Sequence, residues 1–285
     1  MKILVTGASG NVGQYVIQNL LTYNETIVAA GTNTQKLRLM FNDEVEVVEF
    51  DFTRPETFDN ALKDIDRVFL MRPPHLGKPT DLYPFLEAVK KHSIKLIAFL
   101  SLMGIEKNTI PPHYKIEKKI EELGIPYAHI RPGFFMQNIS GIHADEIKLK
   151  DMIYVPAGNS KTSFIDASDI GHAIALILHN FEQHINTKYT LTGSEALDYH
   201  QVAKILSHVL GRTIIYAKPS YFKYRSYYIN HRKLDKAYVN VTVALYFMTR
   251  MGTAKMITDD FFKLVGKEPN RFEDFVRNNI TSFNR

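Results

Sequence analysis

Tyr114 and Lys118 stand four residues apart in "PPHYKIEKKIEELG" (111–124), a spacing that places both on one helix face. Tyrosine and lysine so placed can do acid–base work: the phenol donates a proton, and the cation beside it lowers its pKa. The same stretch has a plainer reading. "KIEKKIEE" is a string of opposite charges at helical spacing, as on a solvated helix surface. His113 opens this helix, and its imidazole could pass a proton near neutral pH or contact a substrate; a polar surface residue is the alternative.

A second constellation is more specific. In "ILVTGASGNVGQYVIQNLL" a strand ends, Gly7, Gly10 and Gly13 follow at three-residue spacing, and an amphipathic helix begins at once. Gly7 allows the tight turn, Gly10 admits a pyrophosphate close to the backbone, and Gly13 lets the helix lie close on the sheet. The phosphates then meet the helix N-terminus. There is no Gly-Lys-Ser/Thr, which argues against a nucleotide triphosphatase loop. At the end of the next strand, "AAGTNTQKLRLM" (29–40) has no acidic residue to hold ribose hydroxyls, and Lys36 and Arg38 lie just beyond. That favours NADP(H), whose 2′-phosphate needs donors and no facing carboxylate, unless the two cations only solvate a helix. Asp51 and Phe52 close the third strand. Asp51 could accept from an adenine amino group or simply cap a turn.

These residues need a frame to position them. The runs 2–6, 26–31, 45–50, 66–71, 95–101 and 127–131 are short and apolar, and amphipathic stretches Asn11–Tyr23, Thr34–Met40, Pro55–Leu62, Asp81–His92 and His113–Leu123 separate them. Such alternation predicts an α/β, Rossmann-type doubly wound parallel sheet over residues 1–132. In "TRPE", Thr53 is expected to cap the following helix, with Glu56 completing a capping box. After Pro132 the rhythm changes. Residues 133–285 are expected to form a smaller, mixed and mainly helical C-terminal lobe that holds substrate, with strands able to cross between the two parts. There a helix capped by Ser168 or Asp169, a strand at 188–193 and a helix at 199–211 ended by Gly211 are expected.

Composition narrows the classes. The chain has 285 residues, 45% hydrophobic and 23% charged, with no cysteine, so disulfides, thiolate catalysis and cysteine metal sites are excluded. The opening "MKILVTGASG" has no signal-peptide pattern, and no window approaches the roughly 18 apolar residues of a membrane span. A cytoplasmic protein is expected. The eleven histidines are scattered, and no carboxylate stands at ligand spacing with His172 and His179, so no metal site is expected.

Taken in order, "TGASGNVG", "FDFTRPETFDNAL", "VFLMRPP", "FLSLMG", "HYKIEKKIEELGIPYAHIRPGFFMQN" and "YVPAGNSKTSFIDASDIGHAIA" resemble the NmrA-like proteins, atypical members of the short-chain dehydrogenase/reductase superfamily. The resemblance runs to about residue 195 and returns weakly in "LVGKEPNRFEDFV" (264–276). It implies a Rossmann domain, a small lobe and a cleft between them, in a family of NAD(P)H-dependent quinone and azo reductases and of non-catalytic dinucleotide-binding regulators. By motif, Gly7, Ser9, Gly10, Asn11 and Val12 would hold the pyrophosphate; Leu70, Met71 and Arg72 would pass beside the cofactor; Phe134 would lie near the nicotinamide. Ser101 closes the fifth strand where the family places a site serine; a turn or cap is its alternative. Thr32 and Asn33 stand where NADPH-binding members often carry arginine, so NAD(H) stays open beside NADP(H).

Aligned on "ELGIPYAHIRPG", the family's helix glutamate falls on Glu117, its usual lysine on His113, and its tyrosine near Thr109. Tyr114 and Lys118 are then about one turn out of register. The resemblance therefore implies an NAD(P)H-dependent reductase of quinone-like or other flat electrophiles, with His113 or solvent supplying protons. The alternative is an NADP(H)-binding, redox-sensing regulatory protein without catalysis. A small-molecule substrate is expected, and a homodimer or regulatory protein partner is left open. "SYFKYRSYYINHRKLDKAYVN" (220–240) interleaves five tyrosines with basic residues, which suits base stacking, a substrate lid or core packing. No nucleic-acid-binding signature accompanies it.

Overall fold

The computed structural model describes all 285 residues, Met1–Arg285. The chain divides into two units: Met1–Pro132 with Ala167–Leu191 and Asp260–Lys267, and Gly133–Asp166 with Thr192–Asp259 and Glu268–Arg285. Residues 167–191 and 260–267, expected in the C-terminal lobe, thus belong with the first unit.

The first unit is a seven-stranded parallel sheet of β1 (Lys2–Thr6), β2 (Ile27–Gly31), β3 (Glu46–Glu49), β4 (Ile65–Met71), β5 (Leu96–Leu100), β6 (Tyr127–Pro132) and β7 (Thr187–Leu191). The order is β7-β6-β5-β4-β1-β2-β3, with every neighbouring pair parallel. β1, β4 and β5 are almost wholly buried, which is why they read as unbroken apolar runs rather than alternating ones. The order reverses between β1 and β4, so a switch point opens at their C-terminal ends, where such sheets bind ligands.

Helix Gly13–Thr22 follows β1, and helix Ala167–His179 packs across it so closely that a Cβ on Gly171 would meet Tyr15 Cβ at 2.4 Å. Helices Tyr83–Lys91 and Pro112–Glu122 pack with Phe50, Phe58, Phe85, Phe99 and Ile116 in one apolar cluster. Two expected caps differ. Thr53 donates to Asp51 Oδ1 instead of capping, and Glu56 pairs with Arg54; the following turn starts at Pro55 with no side-chain cap. Helix Ala167–His179 opens before Ser168 and Asp169, which lie in its first turn.

The second unit is built of helices and two-stranded pairs around its own apolar cluster. Helix Tyr199–Leu210 is capped by Asp198 and Gln201 and ended by Gly211 in the left-handed region. Two of the five tyrosines in the tyrosine-rich segment are core: Tyr224 and Tyr228 are fully buried, while Tyr238 and most of the basic residues are exposed. His143 is buried between two phenols, 2.8 Å from the hydroxyls of both Tyr228 and Tyr246. The Tyr228 hydroxyl donates to Glu146 (3.0 Å), and Arg232 pairs with the same carboxylate at 2.5 Å. This satisfied network explains the mix of phenols and cations as packing rather than base stacking. No helix is long and apolar enough to cross a membrane.

Candidate functional site

The glycine turn forms as its spacing requires. Gly7 adopts φ +61°, and the Gly10 N–H donates to Gly7 O at 2.9 Å, closing the turn. A Cβ on Gly13 would lie 2.3 Å from Gly7 O, so only glycine lets the helix start directly over the turn. No side chain caps the helix at Val12, and its first turn carries no acid. Free N–H groups and the positive end of the helix dipole therefore face outward. The Ser9 hydroxyl and Asn11 amide have no partner within the protein, and both residues are exposed. Met71, at the end of β4, lays its thioether along the turn: its Cε lies 2.5 Å from where a Gly7 Cβ would be. Leu70 is buried in the core. The buried Thr6 hydroxyl ties β1 to β4, donating to Phe69 O (2.9 Å) and accepting from Met71 N (3.0 Å). This open, acid-free turn fits a dinucleotide pyrophosphate.

No acidic residue follows β2 directly, and Glu49, which pairs with its last residue Gly31, has its carboxylate held by Arg54. Asn33 is occupied as a helix cap, accepting from Lys36 N at 2.9 Å, while Thr32, Lys36 and Arg38 are exposed and make no ion pair. Asp51 is used in a turn. Its Oδ1 accepts from Thr53 N (2.8 Å) and Oγ1 (2.7 Å), and those bonds hold its pKa below the usual carboxylate value. Phe52 turns inward and packs edge-on against Phe50 and Phe85.

The proton-transfer candidates gather where β4 and β5 end. His113 is 9% exposed and stacks on Phe99 at 6.0 Å. Burial, with Arg72 adding and Glu117 opposing, lowers its pKa to about 3, so the ring is neutral. An imidazolium that gives up its proton near neutrality, the role expected from sequence, does not fit this burial. The Nδ1 atom has no partner. Ser101, 2% exposed, faces the Glu117 carboxylate without reaching hydrogen-bond geometry. Burial pushes Glu117 up, but two bonds from Arg131 (3.0 and 2.6 Å) outweigh it, and the carboxylate stays ionised.

Lys118 points away from this group. Its Nζ pairs with Glu121 at 2.7 Å, one turn on, and lies 6.0 Å from the Tyr114 ring centroid. That is the solvated-face arrangement. Glu121 also binds Lys188 (2.8 Å); burial raises its pKa, but the two lysines bring it down to about 2. Glu117, Glu121 and His129 converge within 4.8 Å, as metal ligands would. Arg131, Lys118 and Lys188 already match both carboxylates, so a cation would have to displace them. Sequence reading missed this cluster because its members come from a helix and the strand after it, and no ligand spacing links them. Phe134 lies in the second unit, 6.1 Å from the Phe164 ring and 5.8 Å from that of Tyr246.

Comparison with known proteins agrees with this arrangement. The prestalk A differentiation protein A of Dictyostelium discoideum is 28% identical over 287 residues, covering 99% of this chain and 93% of its own. The NAD(P)H azoreductase of Xenophilus azovorans is 25% identical over 286 residues, 99% of each chain. The crystal structure of Citrobacter sp. triphenylmethane reductase complexed with NADP(H) superposes with a TM-score of 0.86 at 25% identity, covering 98% of this chain and all of that one. The NmrA-like family model matches residues 1–248. With the glycine turn, the seven-stranded order and that match in place, the chain belongs to the NmrA-like family.

Proposed function

We propose that this protein is an NADP(H)-dependent reductase that passes a hydride to a quinone-like or other flat electrophilic small molecule. One observation carries the reading: an open, acid-free glycine turn, and after β2 a helix that carries no acid and two unpaired cations, Lys36 and Arg38. The Gly7–Gly13 backbone and helix N-terminus would hold the pyrophosphate, with Ser9 and Asn11 as further donors. Lys36 and Arg38 would meet the 2′-phosphate, so NAD(H), which lacks it, would bind more weakly. When bound, the nicotinamide supplies the hydride. The protein's share is to orient the acceptor and leave protonation to solvent, since His113 is neutral and Lys118 is spent on Glu121.

The relatives named as azo and triphenylmethane reductases support this substrate class. The test is to mix the purified protein with NADPH and a panel of quinones and azo dyes while following the nicotinamide absorbance. Steady loss of absorbance is expected with at least one acceptor; tight NADPH binding without turnover on any would overturn the reading. The second reading, an NADP(H)-sensing regulator without catalysis, is favoured by the buried, neutral His113 and by Lys118 being paired with Glu121 rather than set against Tyr114. A cytoplasmic location is proposed with either reading, and a homodimer or protein partner with the second.

A further inference from the structure

Arg72 directly follows β4, and its guanidinium meets the loop after β4 and His113, on the helix that follows β5. It donates from Nη1 to Pro73 O (3.1 Å) and Leu76 O (2.5 Å), and its Nε lies 3.5 Å from His113 Nε2. His113 in turn rests on Phe99 of β5. No carboxylate pairs with Arg72, and its Nη2 has no hydrogen-bond partner. Asp81 attracts it without pairing and itself accepts from Lys78 N at 3.0 Å. Around it, His113 Nδ1 and Ser101 Oγ are buried and unpaired, and Glu117 is neutralised by Arg131. A half-buried cation with no carboxylate paired to it is costly unless a ligand completes it.

The sheet order says which part of a ligand that is. A dinucleotide straddles the switch point between β1 and β4, with its adenosine ribose at the end of β2. The reacting half then lies over β4 and β5, on the Arg72 side.

We propose that Arg72 is a catalytic residue whose guanidinium takes up the negative charge that forms on the acceptor, so that the site prefers neutral quinones to cationic dyes. This rests on the reductase reading above. In the step, a para-quinone would gain an O–H bond at one carbonyl oxygen from the hydride that bound NADPH would supply as its C4–H bond breaks. Both C=O π bonds are lost as the ring becomes aromatic, and the electron pair settles on the other oxygen as a phenolate. Water then protonates that oxygen. A fixed cation placed where that charge develops lowers the barrier, and it repels an acceptor that arrives positively charged.

The test compares wild type with Arg72→Gln and Arg72→Lys. Turnover is measured on a neutral para-quinone and on a cationic triarylmethane dye, alongside NADPH affinity by fluorescence. A third measurement follows 4-nitrophenol bound with NADP+, whose phenolate absorbs visibly. Arg72→Gln is expected to lower kcat on the quinone about 10²-fold. It should spare the dye, leave NADPH affinity within twofold, and abolish a downward shift of the bound nitrophenol pKa; Arg72→Lys should retain part of each effect. Equal losses on both acceptors, or an unchanged quinone rate, would overturn the proposal. A large loss of NADPH affinity would do so too, by moving Arg72 to the cofactor. If wild type reduces neither acceptor, the reductase reading fails, and the nitrophenol titration alone decides whether Arg72 stabilises an anion.

Discussion

His129 gives a sharp test of the polar cluster beside the candidate site. It is wholly buried and stacked on Tyr127 at 4.2 Å; neither ring nitrogen is hydrogen-bonded, though Nε2 lies 3.5 Å from Glu121 Oε1. Burial lowers its pKa from 6.5 to about 4; Glu117 and Glu121 oppose that shift, and Lys188 and Arg131 add to it. Between those two values the unfolded chain holds a proton that the folded protein does not. Stability is therefore lost as pH falls from about 6.5 toward about 4. At pH 5 the cost is about 2 kcal/mol, taking about 1.4 kcal/mol per unit over the interval below 6.5. His113 and His143, each lowered to about 3, add similar costs over a window reaching further down. Together the three cost on the order of 6 kcal/mol at pH 5, so stability is expected to fall steeply as pH drops below 6.5. His129→Phe keeps the stacking and orphans no donor. Urea unfolding of wild type and variant at pH 7.5 and pH 5 should show the variant losing about 2 kcal/mol less between the two. Equal losses would refute the idea that His129 is held neutral.

Three other substitutions probe the site. Gly13→Ala would bring a Cβ to 2.3 Å from Gly7 O. The turn must then open, and NADPH affinity by fluorescence titration should fall at least about tenfold, about 1.4 kcal/mol. Lys36→Ala should weaken NADPH severalfold and leave NADH unchanged in the same titration; equal losses would remove Lys36 from 2′-phosphate recognition. Tyr114→Phe should change kcat less than about twofold, because Lys118 is engaged with Glu121. A hundredfold loss with intact cofactor binding would restore the catalytic pair.

Much of the first unit was legible because its signals are local. β1, the glycine turn and the following helix lie within residues 2–22, and buried parallel strands show as apolar runs wherever they occur. The return of Thr187–Leu191 to pair with β6 was not legible, since an edge strand of half-buried residues carries no sign of its neighbour. Partnerships across long separations stayed hidden as well: His143 meets Tyr228 and Tyr246 at separations of 85 and 103 residues. The same holds for the electrostatics at β4 and β5. His113 looks like a near-neutral acid in sequence, and only its packing on Phe99 beside Arg72 shows it neutral. Capping failed locally for a different reason. Asp51 competes for the Thr53 hydroxyl and draws it away from the helix end.

The account's central claim is direct hydride passage from a dinucleotide held at the Gly7–Gly13 turn. Single-turnover mixing with NADPH carrying deuterium at the transferred C4 position tests it most directly. The account predicts that a quinone oxidises the bound nucleotide with a primary isotope effect and that deuterium leaves the nicotinamide in the same step. Tight binding of NADPH with no oxidation by any acceptor in the panel would contradict it.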